Sequence, residues 1–123
     1  MRHYYRFKYY INAKHSVNFE GKQSPIHPHT WEAVIYLRVE ETDFINFTKF
    51  EKILEDYFEH YEGKYLNDLE EFKKNNPTME YMGRLFYKDL NVLLQGAHII
   101  LYKIEISENP TRTYIIEDEE VEE

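Results

Sequence analysis

The stretch IHPHTWEAVIYLRVE, residues 26–40, contains the clearest strand pattern of the chain and, beside it, two closely spaced histidines. From residue 29 onward apolar and polar side chains alternate, with Trp31, Ala33 and Ile35 on one face. Alternation with a period of two predicts a β-strand over residues 29–40 that buries one face. His27 and His29 then point to the same side of an extended chain, about 6–7 Å apart at the rise of a strand.

A second strand is predicted over residues 2–15, where the same alternation ends at His15. Two neutral imidazoles on one side of a strand can share a divalent ion. A third imidazole from an adjacent strand completes a three-histidine site with one open position, as in catalytic zinc centres. His15, His27 and His29 are therefore candidate metal ligands. The alternative is that His27 and His29 flank a proline in a surface loop and bind no metal.

Two amphipathic helices are predicted over residues 47–62 and 78–94, because apolar side chains recur there at the helical period. Two further strands are predicted over residues 97–106 and 111–117. The first of these is expected to place Ile99, Leu101, Lys103 and Glu105 on one face. The order ββααββ indicates an α+β fold, with a four-stranded antiparallel sheet and two helices on one face.

Composition limits the possible classes of protein. The chain has 123 residues, no cysteine and a formal net charge of −8, which argues against thiol chemistry and against nucleic acid as a partner. No apolar run reaches the length of a membrane span, so no membrane location is expected and the cytoplasm is predicted. Residues 1–116 are expected to form one domain, followed by an acidic tail over residues 117–123. The aromatic excess and the exposed sheet edges favour assembly through those edges.

Several short segments occur in the order and at the spacing typical of one family. They are Ile11-Asn12-Ala13-Lys14-His15, His27-Pro28-His29, Ile45-Asn46-Phe47, Tyr65-Leu66-Asn67-Asp68, Asn76-Pro77-Thr78-Met79-Glu80 and, in the third strand, Glu105. From about residue 7 to residue 116 the chain resembles the 6-pyruvoyltetrahydropterin synthase family, which includes 6-carboxytetrahydropterin synthase.

The resemblance implies a T-fold, in which subunits join their sheets edge to edge, commonly as a hexamer of two stacked trimers with active sites between subunits. It implies zinc as the cofactor, with His15, His27 and His29 as its ligands, and a reduced pterin as the small-molecule ligand. The family's pterin-anchoring glutamate falls on Glu105, where a carboxylate can accept two parallel hydrogen bonds. The family's threonine near the pterin falls on Thr78, for which a helix N-cap is the alternative role.

The chain departs from the family at positions that move protons. The family has His-Gly-His where this chain has Pro28 in the middle, and its catalytic cysteine falls on Gln23. Its Asp-His pair falls on Glu62 and Gly63, so the acid is kept as a glutamate and the histidine is lost. The candidate catalytic residues that remain are Glu62, Glu20 and His60. A loop acid and a histidine at a helix end are the alternative roles for Glu20 and His60.

Three functions follow from these observations. The first is a divergent zinc-dependent enzyme that acts on a reduced pterin such as 7,8-dihydroneopterin triphosphate. The second is a catalytically inactive T-fold paralogue that binds a pterin or purine-like ligand, or serves as an assembly subunit. The third is an unrelated α+β interaction protein in which the histidines are incidental. Zinc content separates the third from the other two, and a proton-transfer residue near the bound substrate separates the first from the second.

Overall fold

The computed structural model describes residues 3–39, 47–95 and 99–119. Parts of several predictions lie outside these residues, namely residues 2 and 40, the Ile45-Asn46 pair, residues 97 and 98 and the tail residues 120–123. The described elements are β1 (Tyr4–His15), β2 (Asn18–Phe19), β3 (Lys22–Gln23), β4 (His27–Val39), α1 (Phe47–Glu59), α2 (Met79–Leu93), β5 (Ile99–Asn109) and β6 (Arg112–Glu117), with short 3₁₀ helices at Leu66–Asp68 and Glu70–Phe72 between α1 and α2.

The main sheet has the strand order β1-β4-β5-β6, and every neighbouring pair is antiparallel. Both helices pack on one face, which confirms the predicted α+β architecture with its ββααββ order. The loop predicted between the first two strands contains an additional hairpin, β2–β3. Glu20 and Gly21 form its two-residue turn with φ values of 53° and 78°, which is the backbone that a tight hairpin requires.

The hydrophobic core lies between the two helices and the sheet face that they cover. The periodicities that predicted the elements also predicted most of this core. Its fully buried members include Ile11, Trp31, Ile35, Leu54, Met82, Phe86 and Leu90. The helical period also places Leu93 on the apolar side of the second helix, but this residue is 48% exposed at the helix end.

The expected face of the third strand was only partly right, because β5 contains a β-bulge. Tyr36 pairs with Lys103 while Leu37 pairs with Leu101, so Tyr102 is an extra residue that has no partner of its own on β4. An extra residue reverses which side chains face the core. Ile99 and Leu101 are therefore buried before the bulge, and Ile104 and Ile106 are buried after it. Lys103 and Glu105 lie on the opposite face.

The fourth predicted strand ends where β6 ends, at Glu117, and the domain boundary at residue 116 stays a prediction. Strand β6 includes Glu117, whose carboxylate accepts a hydrogen bond from the Tyr102 hydroxyl at 2.6 Å. Within the described ranges, no helix combines the length and the apolar character needed to cross a membrane. The cytoplasmic location stays a prediction.

Candidate metal centre

The structure brings His15, His27 and His29 together at one end of the β1–β4 pair. His15 and His27 are directly opposite each other across the two strands, and one nitrogen from each of the three rings lies within 4.8 Å of the others. An antiparallel pairing places opposite side chains close together on the same face. The alternation of both strands therefore determines where the three histidines meet.

Pro28 is compatible with this strand, although the family that the sequence resembles has glycine there. Its partner on β1 is Lys14, whose backbone N–H donates to the Lys64 carbonyl at 2.9 Å, away from β4. The Lys14–Pro28 pair is thus one without hydrogen bonds between the strands. The pairing of β4 with β5 begins only at Glu32. The missing N–H of proline therefore removes no hydrogen bond from the sheet.

The outer nitrogens of two histidine rings are held by backbone carbonyls. His15 Nδ1 lies 2.8 Å from the Pro77 carbonyl oxygen, and His27 Nδ1 lies 2.9 Å from that of Pro25. A carbonyl oxygen only accepts, so both Nδ1 atoms carry the proton and donate it. In neutral rings both Nε2 atoms then present lone pairs, and they lie 3.0 Å apart. A cation that accepts both lone pairs fits this arrangement.

The spacing of the ring nitrogens suits a tetrahedral ion. Ligand nitrogens that lie about 2.0–2.1 Å from zinc in a tetrahedron are about 3.3–3.4 Å from one another. The 3.0 Å separation of the first pair and the 4.8 Å limit for the three atoms bracket that value.

Trp31 packs against the histidine rings from the core side. The Trp31 ring is fully buried and lies edge-on to His15 and His29, with centroid distances of 4.9 and 5.2 Å. His15 itself is buried, and burial lowers its pKa below the ordinary value of a histidine. Desolvation disfavours the charged ring, so the neutral form that can bind a metal is favoured.

Glu108 is a site residue that the sequence analysis missed. Its Oε2 atom lies 3.7 Å from His29 Nε2 and 3.9 Å from His15 Nε2, and it is buried without a hydrogen-bond partner in the described part of the chain. A buried carboxylate oxygen normally has a partner. Glu108 is two residues after the buried Ile106 and four after the buried Ile104, so alternation along β5 places it on the same face. The sequence indicates this only once the bulge at Tyr102 is known.

Glu105 and Thr78 are not part of the contact between Glu108 and the histidines. Glu105 lies on the sheet face opposite the helices and pairs with Lys103 at 3.4 Å. Thr78 caps α2, where its hydroxyl accepts a hydrogen bond from the Tyr81 backbone N–H at 3.1 Å. The alternative role of Thr78 as an N-cap is therefore present in the structure, while a pterin contact for either residue stays a prediction.

The three candidate proton-transfer residues have other partners or positions. Glu62 accepts hydrogen bonds from the backbone and side-chain nitrogens of Asn12, at 2.9 and 3.2 Å. His60 pairs with Glu71 at 2.7 Å. Glu20 is exposed in the β2–β3 turn. Over residues 3–39, 47–95 and 99–119, none of the three forms a hydrogen bond or ion pair with the clustered histidines.

Two surface cavities have His29 or Glu108 in their lining. The first, of about 390 Å³, is lined by His29, Thr30, Lys14 and Gly63 among others. The second, of about 480 Å³, is lined by Glu108 and again by Thr30. Both volumes are in the range of small-molecule sites, about 300–1,000 Å³. A ligand in the first cavity has access to His29, and a ligand in the second has access to Glu108.

A family model described as 6-pyruvoyl tetrahydropterin synthase matches residues 4–119. The structure is similar to 6-pyruvoyl tetrahydropterin synthase from Caenorhabditis elegans, with a TM-score of 0.82, 19% identity and 96% of each chain covered. It is also similar to the Plasmodium falciparum enzyme, with a TM-score of 0.70, 15% identity and coverage of 95% of this chain and 98% of that one.

A third similar structure is a Plasmodium vivax 6-pyruvoyltetrahydropterin synthase in which a catalytic glutamate is replaced by alanine. Its TM-score is 0.71 at 13% identity, with 96% of this chain and 98% of that one covered. No curated protein matches the chain. At these identities the structural matches establish the fold, and the family model establishes the relationship.

Proposed function

The chain belongs to the 6-pyruvoyl tetrahydropterin synthase family, and from this premise we propose that it holds a zinc ion with His15, His27 and His29 and acts on a reduced pterin such as 7,8-dihydroneopterin triphosphate. A bound zinc ion would supply Lewis acidity to the hydroxyl groups of the pterin side chain. The protein's own contribution is to orient the three rings, to keep His15 neutral and to bind the pterin beside them.

The observation that carries the proposal is the pair of Nε2 atoms 3.0 Å apart whose rings both donate from Nδ1 to carbonyls. Two neutral rings oriented in this way cannot share a hydrogen bond, because neither has a proton on the facing atom. Their common purpose is most simply the binding of one cation. The zinc assignment rests on this donor chemistry and on three imidazoles as a ligand set.

A carboxylate near the histidines is needed to anchor the pterin's N–H groups. Glu105 has that role in the resemblance, whereas the Oε2 atom of Glu108 lies 3.7 Å from His29 Nε2 and Glu108 also lines a cavity of its own. We therefore propose Glu108 as the anchor, and Glu105 serves as the alternative. The two residues are three positions apart on β5 and face opposite sides, so Glu105→Gln and Glu108→Gln form a matched pair of variants.

The residues for proton transfer are the part of the site that a single chain supplies least completely. Glu20, Glu62 and His60 are the proposed groups, and Glu20 at the exposed hairpin turn is the one free to approach a neighbouring subunit. The Plasmodium vivax relative has a glutamate as a catalytic residue. This precedent supports an acid in place of the family's cysteine, whose position here is Gln23.

A catalytically inactive pterin-binding paralogue is the second candidate function. It is favoured by the partners of the proton-transfer candidates, since Glu62 is engaged with Asn12 and His60 with Glu71. Gln23 is engaged as well, because its amide nitrogen donates to the Ser16 hydroxyl at 2.7 Å. Such a protein would keep the metal and the pterin but would not convert the substrate.

A homo-oligomer is part of the proposal, with the hexamer as the expected number of subunits. Strands β1 and β6 are the edges of the sheet, and Tyr4, Tyr5 and Tyr10 on β1 are more than a third exposed. Unpaired edges with exposed aromatic side chains favour pairing with another copy. Light scattering after size-exclusion chromatography would measure the subunit number.

The test is product analysis by mass spectrometry after the zinc-loaded chain is mixed with 7,8-dihydroneopterin triphosphate. We compare the wild type with His27→Ala and with the matched control His3→Ala, which removes an exposed histidine outside the cluster. The proposal expects conversion by the wild type and the control and none by His27→Ala. Glu20→Gln, Glu62→Gln and His60→Ala then identify the proton-transfer residue.

Bound pterin without conversion would favour the inactive paralogue. Conversion that persists in His27→Ala would contradict the role of the histidine cluster. A chain that contains no zinc and binds no pterin would refute both candidate functions and would leave the third hypothesis, an interaction protein with incidental histidines.

A further inference from the structure

A carboxylate oxygen beside the histidine cluster is buried and has no partner of its own. It is Oε2 of Glu108, a residue whose side chain is 18% exposed. In the described part of the chain this oxygen takes part in no hydrogen bond, and no lysine or arginine there forms an ion pair with Glu108. A buried charge is normally paired with an opposite charge or bound to a metal ion. Glu108 therefore needs a cationic partner.

The carboxylate lies on the side of the histidine rings that faces a metal ion. Glu108 Oε2 is 3.7 Å from His29 Nε2 and 3.9 Å from His15 Nε2. The other ring nitrogen of His15, Nδ1, donates to the Pro77 carbonyl. A carboxylate that only orients a metal-bound histidine contacts that outer nitrogen instead. Glu108 is therefore placed as a ligand and not as a support for one.

The distances rule out a direct hydrogen bond and suit a shared ion. Both exceed the length of an N–H···O hydrogen bond, about 2.7–3.2 Å. Neutral His15 carries its proton on Nδ1, so its Nε2 lone pair and the carboxylate oxygen are two acceptors that face each other. The two distances are also within about half an ångström of the roughly 3.3–3.4 Å between ligand atoms of tetrahedral zinc. One cation between these atoms satisfies both.

The backbone of β5 explains why Glu108 reaches the cluster. The register of β5 against β6 shifts between Ile106 and Asn109, and Glu108 lies inside this irregularity. β-Bulges beside functional sites redirect a side chain. The turn that follows is fixed, because the Asn109 side-chain oxygen accepts hydrogen bonds from the Thr111 backbone N–H and hydroxyl at 2.9 and 2.7 Å. A defined strand end therefore presents the carboxylate.

We infer that Glu108 is a fourth ligand of the metal ion at the three clustered histidines, and that it closes this centre until a pterin takes the carboxylate. The histidine ligands and the pterin rest on the proposed function. Three neutral imidazoles leave the double charge of zinc uncompensated in a partly buried site, and one carboxylate ligand halves it. A centre with four protein ligands has no open position. Transfer of Glu108 to the N–H groups of a pterin then frees one.

The first experiment tests whether the centre is closed. Cobalt(II) replaces zinc in the full-length chain, and azide, a small anionic ligand, is titrated while the cobalt absorption spectrum is recorded. We expect the wild type and Glu105→Gln to leave azide unbound and Glu108→Gln to bind it, because only the last variant frees a position on the metal. Azide binding by the wild type would overturn the inference, as would exclusion of azide from cobalt-loaded Glu108→Gln.

The second experiment measures the zinc affinity of the same three proteins by competition with a chromophoric chelator. We expect Glu108→Gln to bind zinc about tenfold or more weakly than the wild type, and Glu105→Gln to differ from it by less than about twofold. Equal affinities in the two variants would overturn the inference and leave the three-histidine centre intact. A wild type that binds neither zinc nor cobalt would refute the proposed metal centre and the inference with it.

The third experiment tests the transfer with a pterin that has no side chain. 7,8-Dihydropterin carries the N–H groups that Glu108 binds under the proposed function, but it has no side-chain hydroxyl to occupy the metal. Saturating 7,8-dihydropterin is expected to let azide bind to the cobalt-loaded wild type. Exclusion of azide although calorimetry shows bound dihydropterin would contradict the transfer. Dihydropterin that does not bind, with azide still excluded, would refute the proposed pterin ligand and uphold Glu108 as the fourth ligand.

Discussion

Removal of zinc is expected to lower the melting temperature of this chain substantially. The three histidines come from two strands, β1 and β4, so the ligand set exists only when those strands are paired. A ligand that binds the folded state alone stabilises it by about 2.7 kcal/mol when its concentration is 100 times the dissociation constant.

The expected temperature shift follows from the size of the chain. The entropy of unfolding is about 2.1 cal/mol/K per residue near 60 °C, which for a chain of 123 residues is about 0.26 kcal/mol/K. A stabilisation of about 2.7 kcal/mol then corresponds to about 10 °C. Differential scanning fluorimetry with zinc and with a chelator measures this shift, provided that zinc is buffered at the stated excess.

Two histidine variants separate a specific site from general zinc binding. His27→Ala removes one proposed ligand, so zinc is expected to raise its melting temperature by less than half as much as in the wild type. His3→Ala removes an exposed histidine outside the cluster and is expected to keep the full shift. An equal shift in both variants, or no shift in the wild type, would refute the reasoning.

Three other pairs of variants test the site and the fold. Glu108→Gln is expected to weaken binding of a reduced pterin about tenfold or more, because it removes hydrogen bonds to a charged acceptor. Glu105→Gln is expected to change the affinity less than about twofold. The reverse order of the two affinities in calorimetry would restore Glu105 as the anchor. Leu54→Ala removes a fully buried side chain, and it is expected to lower the free energy of unfolding, measured by urea denaturation, by about 2–5 kcal/mol. Leu93→Ala changes a half-exposed position and is expected to cost less than about 1 kcal/mol. Thr78→Ala removes the helix N-cap and is expected to lower the free energy of unfolding by about 1 kcal/mol, whereas Thr78→Ser keeps a capping hydroxyl and retains most of that stability. A similar loss of unfolding free energy in both variants, measured by urea denaturation, would argue against capping.

Much of the fold was predictable because each element has a simple period. Alternation in β1 and β4 placed His15 and the two later histidines on one face, and antiparallel pairing then brought them together. The helical periods predicted the core-facing sides of α1 and α2, except at the helix ends, where Phe47 and Leu93 are exposed. These features depend on local patterns, which a single sequence contains.

The parts that were missed depend on pairing between distant residues. The bulge at Tyr102 arises from the register between β4 and β5, and it decides that Glu108 rather than Glu105 approaches the histidines. The partners of Glu62 and His60 likewise come from segments far away in the sequence, namely Asn12 and Glu71. Neither the register nor these contacts leaves a periodic signal in the chain.

X-ray absorption at the zinc edge of the zinc-loaded chain tests the proposed metal centre most directly. We expect one zinc ion per chain with three imidazole nitrogens at about 2.0–2.1 Å. His15→Ala should reduce the zinc content and remove one imidazole from the spectrum, while His3→Ala should change neither. Zinc bound by fewer than three imidazoles, or bound unchanged in His15→Ala, would contradict a centre formed by His15, His27 and His29.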